Sequence, residues 1–260
     1  MDMMGLIRTR KSVRTFDGTA VSEEDKEKLL AFARTIEAPF SVPVTFLLLD
    51  AKAHGLSSPV IAGETLYLTG KVPQTAHCDT AFGCAFEKLV LYAWSLGLGT
   101  TWIGGTMDRA RFEAAAGVTA GELMPCVSPV GHPAAKRSLK EIAMRTAIKA
   151  DKRQNSESLF FEDDLTTPLR TDDPTLADAL EAVRLAPSAV NKQPWRIVRR
   201  GDAFHFYEKR TLSAKDAPWD VQKVDVGIAL CHFMAIAGGT LTATDPQLTG
   251  DLVYVATVTR

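Results

Sequence analysis

Apolar and polar positions along the first half of the chain predict alternating helices and strands. Ser22, followed by three acidic residues and then by apolar residues at helical spacing, has the pattern of a capped helix with an acidic first turn. A run rich in β-forming residues predicts a buried strand, and a stretch that is apolar on every side predicts a core helix ending at Gly97. In chain order the predicted elements are helix, strand, core helix, short helix and strand, over residues 22–36, 44–49, 79–96, 108–116 and 124–130.

The same order of elements recurs near the end of the chain. Asp173 and Pro174 predict the start of one helix, and Asp225 predicts the start of an apolar helix. In chain order the predicted elements are helix, strand, strand, apolar helix and strand, over residues 173–184, 195–200, 204–208, 225–236 and 252–259. Many chains of mixed class alternate in this way, so the order alone leaves coincidence open.

Residue detail favours an internal duplication over coincidence. The segment LAFAR at 30–34 is similar to the segment LEAVR at 180–184. Residues 136–162, between the two sets of elements, are polar and charged and predict a linker. We therefore predict an α+β fold that contains two pseudo-repeats. The predicted divisions are a first half, a linker and a second half, at residues 1–147, 148–172 and 173–260.

Composition excludes several classes of protein. The 260 residues carry 30 Lys and Arg against 31 Asp and Glu, and 46% of them are hydrophobic, which excludes a disordered chain. A formal net charge of −1 gives no overall electrostatic attraction to nucleic acid or to an anionic membrane. We therefore expect neither nucleic acid nor membrane as a partner.

The sequence predicts no membrane span, secretory signal or metal site. The longest uncharged stretch, residues 89–107, contains hydroxyl residues and four glycines, so we do not expect it to cross a membrane. No apolar segment follows the basic residues near the N-terminus, so we expect no secretory signal and a cytoplasmic location. The four cysteines have no metal-ligand spacing, and we expect four free thiols.

Two short basic segments are candidates for binding a phosphorylated ligand. The first has the sequence RKSVR at residues 10–14 and combines guanidinium forks, a hydroxyl and an ammonium group, all of which bind phosphate oxygens. The second is the pair Lys136 and Arg137, shortly after a predicted strand, where ligands often bind. The alternatives are a solvated basic segment and a polar loop, respectively.

Two further segments have compositions that turn formation alone does not explain. Residues 97–105, GLGTTWIGG, end the core helix, but helix termination leaves the glycine pair at 104 and 105 unexplained. Residues 187–195, PSAVNKQPW, combine two prolines that fix a loop with three polar side chains that can bind ring edges. A rigid turn with a packed Trp is the alternative there. Ser188 has no evident histidine partner, which disfavours a hydrolytic triad, and we interpret His232 as a core residue.

These four segments, in this order, resemble the motifs of the nitroreductase family of FMN-dependent oxidoreductases. Family members carry all four in one subunit and dimerise, whereas here only the second half has the intact loop and only the first half has the other three. The first-half loop, APFSVP at 38–43, is degenerate, and acidic residues at 162 and 163 stand where a second basic segment would begin. The chain is similar to a tandem subgroup of nitroreductases. The resemblance therefore implies a nitroreductase-like fold, with an intrachain pseudo-dimer and a monomeric protein.

The resemblance also implies which residues would contact FMN. The basic residues would bind its phosphate and ribityl chain, and Arg14 would face the pyrimidine edge, where a cation stabilises charge on the reduced flavin. A backbone amide from the glycine pair would face N5, and the proline–serine loop would close the site from the second half. The implied contacts are Arg10, Lys11, Ser12, Arg14, Gly104, Gly105, Lys136, Arg137, Pro187, Ser188 and Asn191.

The implied activity is electron transfer from NADH or NADPH to a nitroaromatic, a quinone or a similar flat small molecule. FMN carries that chemistry, so no catalytic side chain is predicted. A non-catalytic protein that stores, senses or delivers FMN is the first alternative. A structural relic without a ligand is the second, and the intact loop at 187–195 argues against it.

Overall fold

The protein is described by a computed structural model over residues 2–212, 217–248 and 250–260. Its α-helices are α1 (Met3–Thr9), α2 (Glu23–Ala33), α3 (Cys78–Ser95), α4 (Arg109–Ala115), α5 (Leu139–Ala147), α6 (Pro174–Leu185) and α7 (Val221–Ala237). Its strands are β1 (Thr45–Asp50), β2 (Leu66–Pro73), β3 (Gly99–Thr100), β4 (Glu122–Leu123), β5 (Val127–Gly131), β6 (Phe160–Glu162), β7 (Trp195–Arg200), β8 (Ala203–Glu208), β9 (Thr240–Thr242) and β10 (Val253–Thr259). Single 3₁₀ turns lie at Pro39–Ser41, Ser156–Ser158 and Ala189–Asn191.

The strands form two sheets that share one strand order. The first sheet has the order β1-β2-β5-β3, and β4 adds to β2. The second has the order β7-β8-β10-β9, and β6 adds to the outer side of β7. Four strands of the first sheet therefore have counterparts at the same places in the second. The predicted α+β fold with two pseudo-repeats is confirmed.

The two halves meet where α3 crosses α7, and the crossing is symmetric. A Cβ atom added to Gly83 would overlap the backbone carbonyl of Val224, and one added to Gly227 would overlap the backbone carbonyl of Thr80. Each glycine thus contacts the residue three positions before its counterpart in the other helix. Only a residue without a side chain permits helices to approach so closely. The dimer-like interface expected from the resemblance is therefore within the chain.

The crossing helices join two hydrophobic cores. One core packs α3 against α2 and the first sheet, with Phe82 and Phe86 buried, and the other packs α7 against α6 and the second sheet, with Trp195 and Phe233 buried. These buried positions explain why both helices are apolar on nearly every side. Within the described residues, no helix combines the length and the apolar character needed to cross a membrane.

Capping residues fix where the helices begin. Ser22 Oγ accepts a hydrogen bond from Asp25 N at 3.1 Å, so α2 begins as predicted. For α7 the predicted cap was wrong by five residues, because Asp220 rather than Asp225 is the cap: Asp220 Oδ1 accepts a hydrogen bond from Gln222 N at 2.9 Å. Asp225 consequently lies inside the helix, where its side chain is buried.

Several elements lie where the sequence predicted none. The polar stretch 136–162 contains α5, capped by Ser138 Oγ, and β6, which pairs in parallel with β7. Strand β2, central in the first sheet, was missed because Gly70 and Lys71 interrupt its apolar pattern. The short helix α1 was also missed, because its seven residues are too few to show a period.

The acidic residues at 162 and 163 do not occupy a second copy of the basic segment. Ser12 forms a β-bridge with Thr100 and so lies beside β3, whereas Glu162 pairs with β7 at the opposite edge of its sheet from β9, the counterpart of β3. The expected equivalence between the two segments was therefore wrong. The cause is the parallel pairing of β6 with β7, which carries this segment away from the site.

Candidate functional site

A basic cleft of about 100 Å³ lies where the two halves meet. We refer to this space as the basic cleft, and the residues that line it are as follows. Its cationic side chains are Arg10, Lys11, Arg14, Arg145 and Arg153. The single carboxylate among its lining residues, Asp151, is paired with Arg145. Ser12 and Asn191 add a hydroxyl and an amide, and Pro187 and Ser188 close one side. The cleft therefore has a large excess of positive charge.

Arg10 is held in the cleft by a buried network that reaches across the α3–α7 crossing. Its side chain is 4% exposed, and its Nε lies 3.8 Å from Glu87 Oε1. Glu87 is fully buried and binds two more groups, His232 Nε2 at 3.1 Å and Trp102 Nε1 at 2.9 Å. His232 Nδ1 contacts the carbonyl of Ala182 at 2.7 Å, so both ring nitrogens are hydrogen-bonded. The interpretation of His232 as a core residue agrees with this burial, and sequence reasoning missed Glu87.

Several polar atoms around the cleft are buried without a protein partner. Arg10 Nη1, Arg14 Nη1, Thr101 Oγ1 and Arg153 Nε each lack a hydrogen-bond acceptor or donor among the described residues. Burial lowers the pKa of both Arg10 and Arg14 from the ordinary guanidinium value, and the neighbouring carboxylates Glu87 and Glu141 oppose that effect. Buried donors of this kind are normally satisfied. An anion in the cleft would satisfy them.

The loop at 187–194 is fixed in its position by hydrogen bonds within the second half and to backbone carbonyls of the segment 149–152. The amide of Ala189 donates to both oxygens of Asp225, each at 3.0 Å, and Gln193 N donates to Ser188 Oγ at 2.8 Å. Asn191 Nδ2 donates to the carbonyls of Lys149 and Lys152, at 2.7 and 2.9 Å. The polar residues of the motif therefore shape the loop, and the loop presents its backbone and Pro187 to the site.

A larger cavity of about 430 Å³ adjoins the basic cleft. Ser12, Arg14, Pro187 and Ser188 line both spaces, so the two form one continuous site. Most of the cavity wall is apolar, and Trp102, Ile103, Val190, Trp219 and Ile228 contribute to it. A basic end joined to an apolar cavity suits a ligand that combines a phosphate with a flat ring.

The glycine pair lines this cavity, and Arg109 fixes its backbone. Arg109 Nη2 donates to Gly104 O at 2.7 Å, and its guanidinium stacks 3.9 Å above the centroid of the Trp219 ring. The peptide bond is trans, so the amide of Gly105 points away from the carbonyl that Arg109 holds. Among the described residues neither glycine amide has a protein acceptor. Gly105 N–H thus has no acceptor within the described part of the chain, and Arg109 fixes its direction.

A buried carboxyl faces the same cavity. Asp225 is 3% exposed, and burial raises its pKa well above the usual range; the amide of Ala189 opposes the shift, whereas Asp220 and Glu208 reinforce it. Glu208 is itself buried, and burial raises its pKa too. Asp225, a buried carboxyl group with a raised pKa, therefore lines the cavity, whereas Glu208 is not among the lining residues and its Oε1 lies 3.5 Å from Arg210 Nε.

The structure brings most of the predicted contacts together. Nine of them line the basic cleft or the cavity: Arg10, Lys11, Ser12, Arg14, Gly104, Gly105, Pro187, Ser188 and Asn191. Lys136 and Arg137 line neither; both are exposed, and Arg137 Nε lies 3.4 Å from Glu141 Oε1. Arg145 and Arg153 lie in the cleft instead, and sequence reasoning missed them. Arg145 follows Glu141 by four residues on one face of α5, a spacing that could have suggested it.

The described residues contain no metal-binding cluster and no disulfide. No group of three or more histidine, cysteine, aspartate or glutamate side chains in this part of the chain has the geometry to hold a metal ion. All four cysteines are free and buried.

Comparison with known proteins gives the family. The family model described as "Putative TM nitroreductase" matches residues 2–237. A putative nitroreductase from Thermotoga maritima has a similar structure, with a TM-score of 0.63 at 19% sequence identity over 100% of this chain and 94% of that one. An FMN-dependent nitroreductase from Clostridium difficile R20291 matches over 52% of this chain and 90% of that one, with a TM-score of 0.45 and 17% identity. No curated protein matches the chain.

The family match and the fold agree over nearly the whole length of the chain. The matched residues include all four segments on which the sequence resemblance rests, namely the basic segment, the glycine-rich segment, the basic pair at 136 and 137, and the proline–serine loop. The fold of the Thermotoga maritima protein extends over both pseudo-repeats rather than one. The chain therefore belongs to the nitroreductase family.

Proposed function

We propose that this protein binds one FMN per chain and uses it to transfer electrons from NADH or NADPH to a flat acceptor such as a nitroaromatic or a quinone. The observation that carries the proposal is the set of buried, unpartnered guanidinium nitrogens of Arg10 and Arg14 at the end of an apolar cavity. An anionic group would satisfy these donors, and an apolar ring would fit the mostly apolar adjoining cavity. FMN provides both groups in one molecule.

The phosphate end of FMN fits the basic cleft. We assign the phosphate to Arg10, Lys11 and Ser12 together with Arg145 and Arg153. Each hydrogen bond between a charged donor and phosphate contributes about 1.5–3 kcal/mol, and Arg forms two at once. The exposed pair Lys136 and Arg137 is assigned a secondary role, since Arg137 reaches the site only through Glu141, whose Oε2 accepts a hydrogen bond from Arg14 N at 3.3 Å.

The ring end of FMN fits the cavity beside the glycine pair. We assign the amide of Gly105, rather than that of Gly104, to the N5 side of the ring, because Arg109 fixes the intervening peptide. We assign Arg14 to the pyrimidine edge, and Pro187 to the opposing wall. Bound FMN supplies the hydride and electron chemistry, and the protein supplies orientation, a cation at the pyrimidine edge and exclusion of water.

The pseudo-symmetric counterpart of the site would be closed by the first-half loop at 38–43, and described side chains of the first half fill that place. At the place that corresponds to the loop 187–194, the ring of Phe40 stacks on His77 with centroids 4.3 Å apart, and Phe40 packs against both hydrophobic cores. We infer that these side chains take up the space that a flat ring would need in the symmetric site. We propose one flavin per chain, and a monomer that binds it, because both sides of the site belong to one chain.

The test begins with the colour of the purified protein and ends with its reduction. We expect a flavin absorbance near one FMN per chain, a monomer by light scattering, and bleaching of the flavin on anaerobic mixing with NADH or NADPH. Turnover with a quinone should then show ping-pong kinetics, since donor and acceptor share one face of the ring. Flavin that stays oxidised would favour storage or sensing. A protein that binds no flavin would overturn the proposal, and two flavins per chain would overturn the single site.

A further inference from the structure

A second basic space lies beside the basic cleft, and three lysines that line it take no part in the proposed FMN site. It has a volume of about 530 Å³ and is formed by segments 147–154 and 190–193. We call it the lysine pocket. Four of its lining side chains are cationic, none is a carboxylate, and the remaining polar groups are amides. The cationic residues are Lys149, Lys152, Arg153 and Lys192.

The positive charge of the lysine pocket is not neutralised by the protein. Within the described part of the chain, none of these four side chains forms a salt bridge. Asp151 lies nearby but is paired with Arg145. Arg153 Nε is buried without an acceptor, and burial together with Arg10, Arg184 and Arg145 lowers the pKa of its guanidinium. The pocket therefore attracts anions with several charges.

The two segments that form the pocket are locked to each other. Asn191 Nδ2 donates to the carbonyls of Lys149 and Lys152, and Gln154 N donates to Gln193 Oε1 at 2.8 Å. Gln154 Nε2 also donates to the carbonyl of Lys192 at 2.9 Å. The backbone that carries the lysines is thus fixed before any ligand binds, which reduces the entropy lost on binding.

The lysine pocket is continuous with both parts of the proposed FMN site. It shares Arg153 and Asn191 with the basic cleft, and Ile148 and Val190 with the apolar cavity. A ligand whose ring stacks on a flavin in the cavity could therefore extend past Val190 and place its phosphates in the pocket. A nicotinamide dinucleotide has this layout, with a ring at one end and a diphosphate and adenosine beyond it.

We propose that the lysine pocket binds the phosphate groups of the nicotinamide dinucleotide donor and selects NADPH over NADH. The proposal rests on the proposed function, because it needs a donor whose ring reaches the flavin. Arg153 is already assigned to the FMN phosphate, so three lysines remain for the donor. The diphosphate carries two charges and the 2′-phosphate of NADPH adds about −1.5 to −2 at pH 7, so only NADPH carries enough negative charge to pair with all three lysines. NADH leaves part of this positive charge unpaired.

The test uses the adenosine end of the donor, so that it has a readout other than turnover. The probes are adenosine 2′,5′-bisphosphate and adenosine 5′-monophosphate, titrated calorimetrically into the FMN-loaded protein. We expect the bisphosphate to bind roughly tenfold or more tightly than the monophosphate. We also expect this preference to fall steeply with salt, and the KM for NADPH to lie below the KM for NADH.

The variant Lys149→Gln/Lys152→Gln/Lys192→Gln removes the exposed cations and spares every residue of the basic cleft. It should weaken the bisphosphate by at least about tenfold and raise the KM for NADPH more than that for NADH. Lys52→Gln, an exposed lysine in the first half, is the matched control and should change neither. Equal affinity for the two probes, or a bisphosphate affinity that the triple substitution leaves unchanged, would overturn the proposal.

Two outcomes separate this proposal from the proposed function. If the flavin extracted from the protein is FAD, the lysine pocket holds the adenosine half of the cofactor, and the donor assignment is overturned while flavin binding stands. If the protein binds no flavin, the proposed function fails, but a lysine-dependent preference for the bisphosphate in the flavin-free protein still supports the pocket.

Discussion

The loops at 38–43 and 187–194 have nearly the same backbone and opposite surroundings. Both contain a single 3₁₀ turn whose middle residue has a positive φ, 59° at Phe40 and 42° at Val190, and the next residue also has a positive φ in each. Phe40 stacks on His77 inside the interface between the halves. Val190 is 52% exposed and lines the cavity proposed to hold the flavin ring.

The comparison shows that two loops of similar backbone conformation are held in place by different kinds of contact. The second loop is anchored by polar contacts, from Asp225 to Ala189 N and from Asn191 to two carbonyls. The first loop is held by apolar packing of Phe40 and burial of Val42. A strained positive φ at a non-glycine residue costs about 1–3 kcal/mol, so each loop needs such compensation. In the first loop, apolar packing offsets the backbone strain. In the second loop, hydrogen bonds offset it and leave the neighbouring cavity open.

The largest expected effect concerns the crossing on which the comparison depends. Gly83→Ala and Gly227→Ala should each lower the free energy of unfolding by about 3 kcal/mol, because the added methyl group overlaps a backbone carbonyl of the facing helix. Urea denaturation followed by circular dichroism measures both. Similar losses would confirm that the two helices are equivalent at the crossing. A loss at one glycine alone would show that the two halves pack differently.

The next effect separates the cleft from the exposed basic pair. Arg14→Ala should raise the dissociation constant of FMN by about ten- to a hundredfold, since it removes a partly buried cation that contributes about 1.5–3 kcal/mol. Arg137→Ala is the matched control and should change the constant by less than about threefold, because Arg137 lines neither space. Fluorescence titration of the flavin-free protein gives both constants. Equal losses would show that Arg14 contributes no more to FMN binding than the exposed Arg137 does.

The two loops themselves provide a paired test. Phe40→Ala should lower the free energy of unfolding by about 2 kcal/mol through lost packing in both cores. Val190→Ala should change it by less than about 0.5 kcal/mol, because Val190 is half exposed. Thermal unfolding of the flavin-free variants measures the two effects. If the Phe40→Ala variant bound a second flavin, the symmetric position would be a flavin site that Phe40 blocks in the wild type.

The smallest effect is the pH dependence contributed by Asp225. Its pKa in the folded protein is raised, so the folded state holds a proton that the unfolded state loses above about pH 4. The stability linked to this group is therefore fully present at low pH and is lost as pH rises through the folded pKa. Asp225→Asn keeps an acceptor for Ala189 N and removes the titration. At pH 8 it should match or exceed the wild-type stability by about 1 kcal/mol, with the difference shrinking toward pH 5.

The control for this pH effect is Asp164→Asn, because Asp164 is exposed and its pKa is lowered rather than raised. Asp164→Asn should therefore be less stable than the wild type at pH 8, and this difference should shrink as pH falls. An Asp225→Asn variant whose unfolding follows the wild-type pH profile would show that Asp225 is ionised in the folded protein.

The order of the elements, the duplication and the basic segment could be read from the chain because they depend on local pattern. Helical spacing after Ser22, alternation at 252–259 and the guanidinium forks of residues 10–14 need no distant partner to be recognised. Strand β2 was not predicted, because its central place depends on its neighbours and not on its own pattern. It lies between β1 and β5, with Tyr67 and Leu68 fully buried.

Only the tertiary structure decided which charged residues meet. Arg145 and Arg153 lie in a stretch predicted as a linker, yet folding places them beside Arg10, more than a hundred residues earlier in the chain. Asp225 has the local pattern of a helix cap, but Asp220 takes that role and leaves Asp225 buried against Ala189. The charges and spacings along the sequence do not specify which surfaces of the two pseudo-repeats pack against each other. That choice follows from the crossing of α3 and α7, where two glycines allow the backbones to touch.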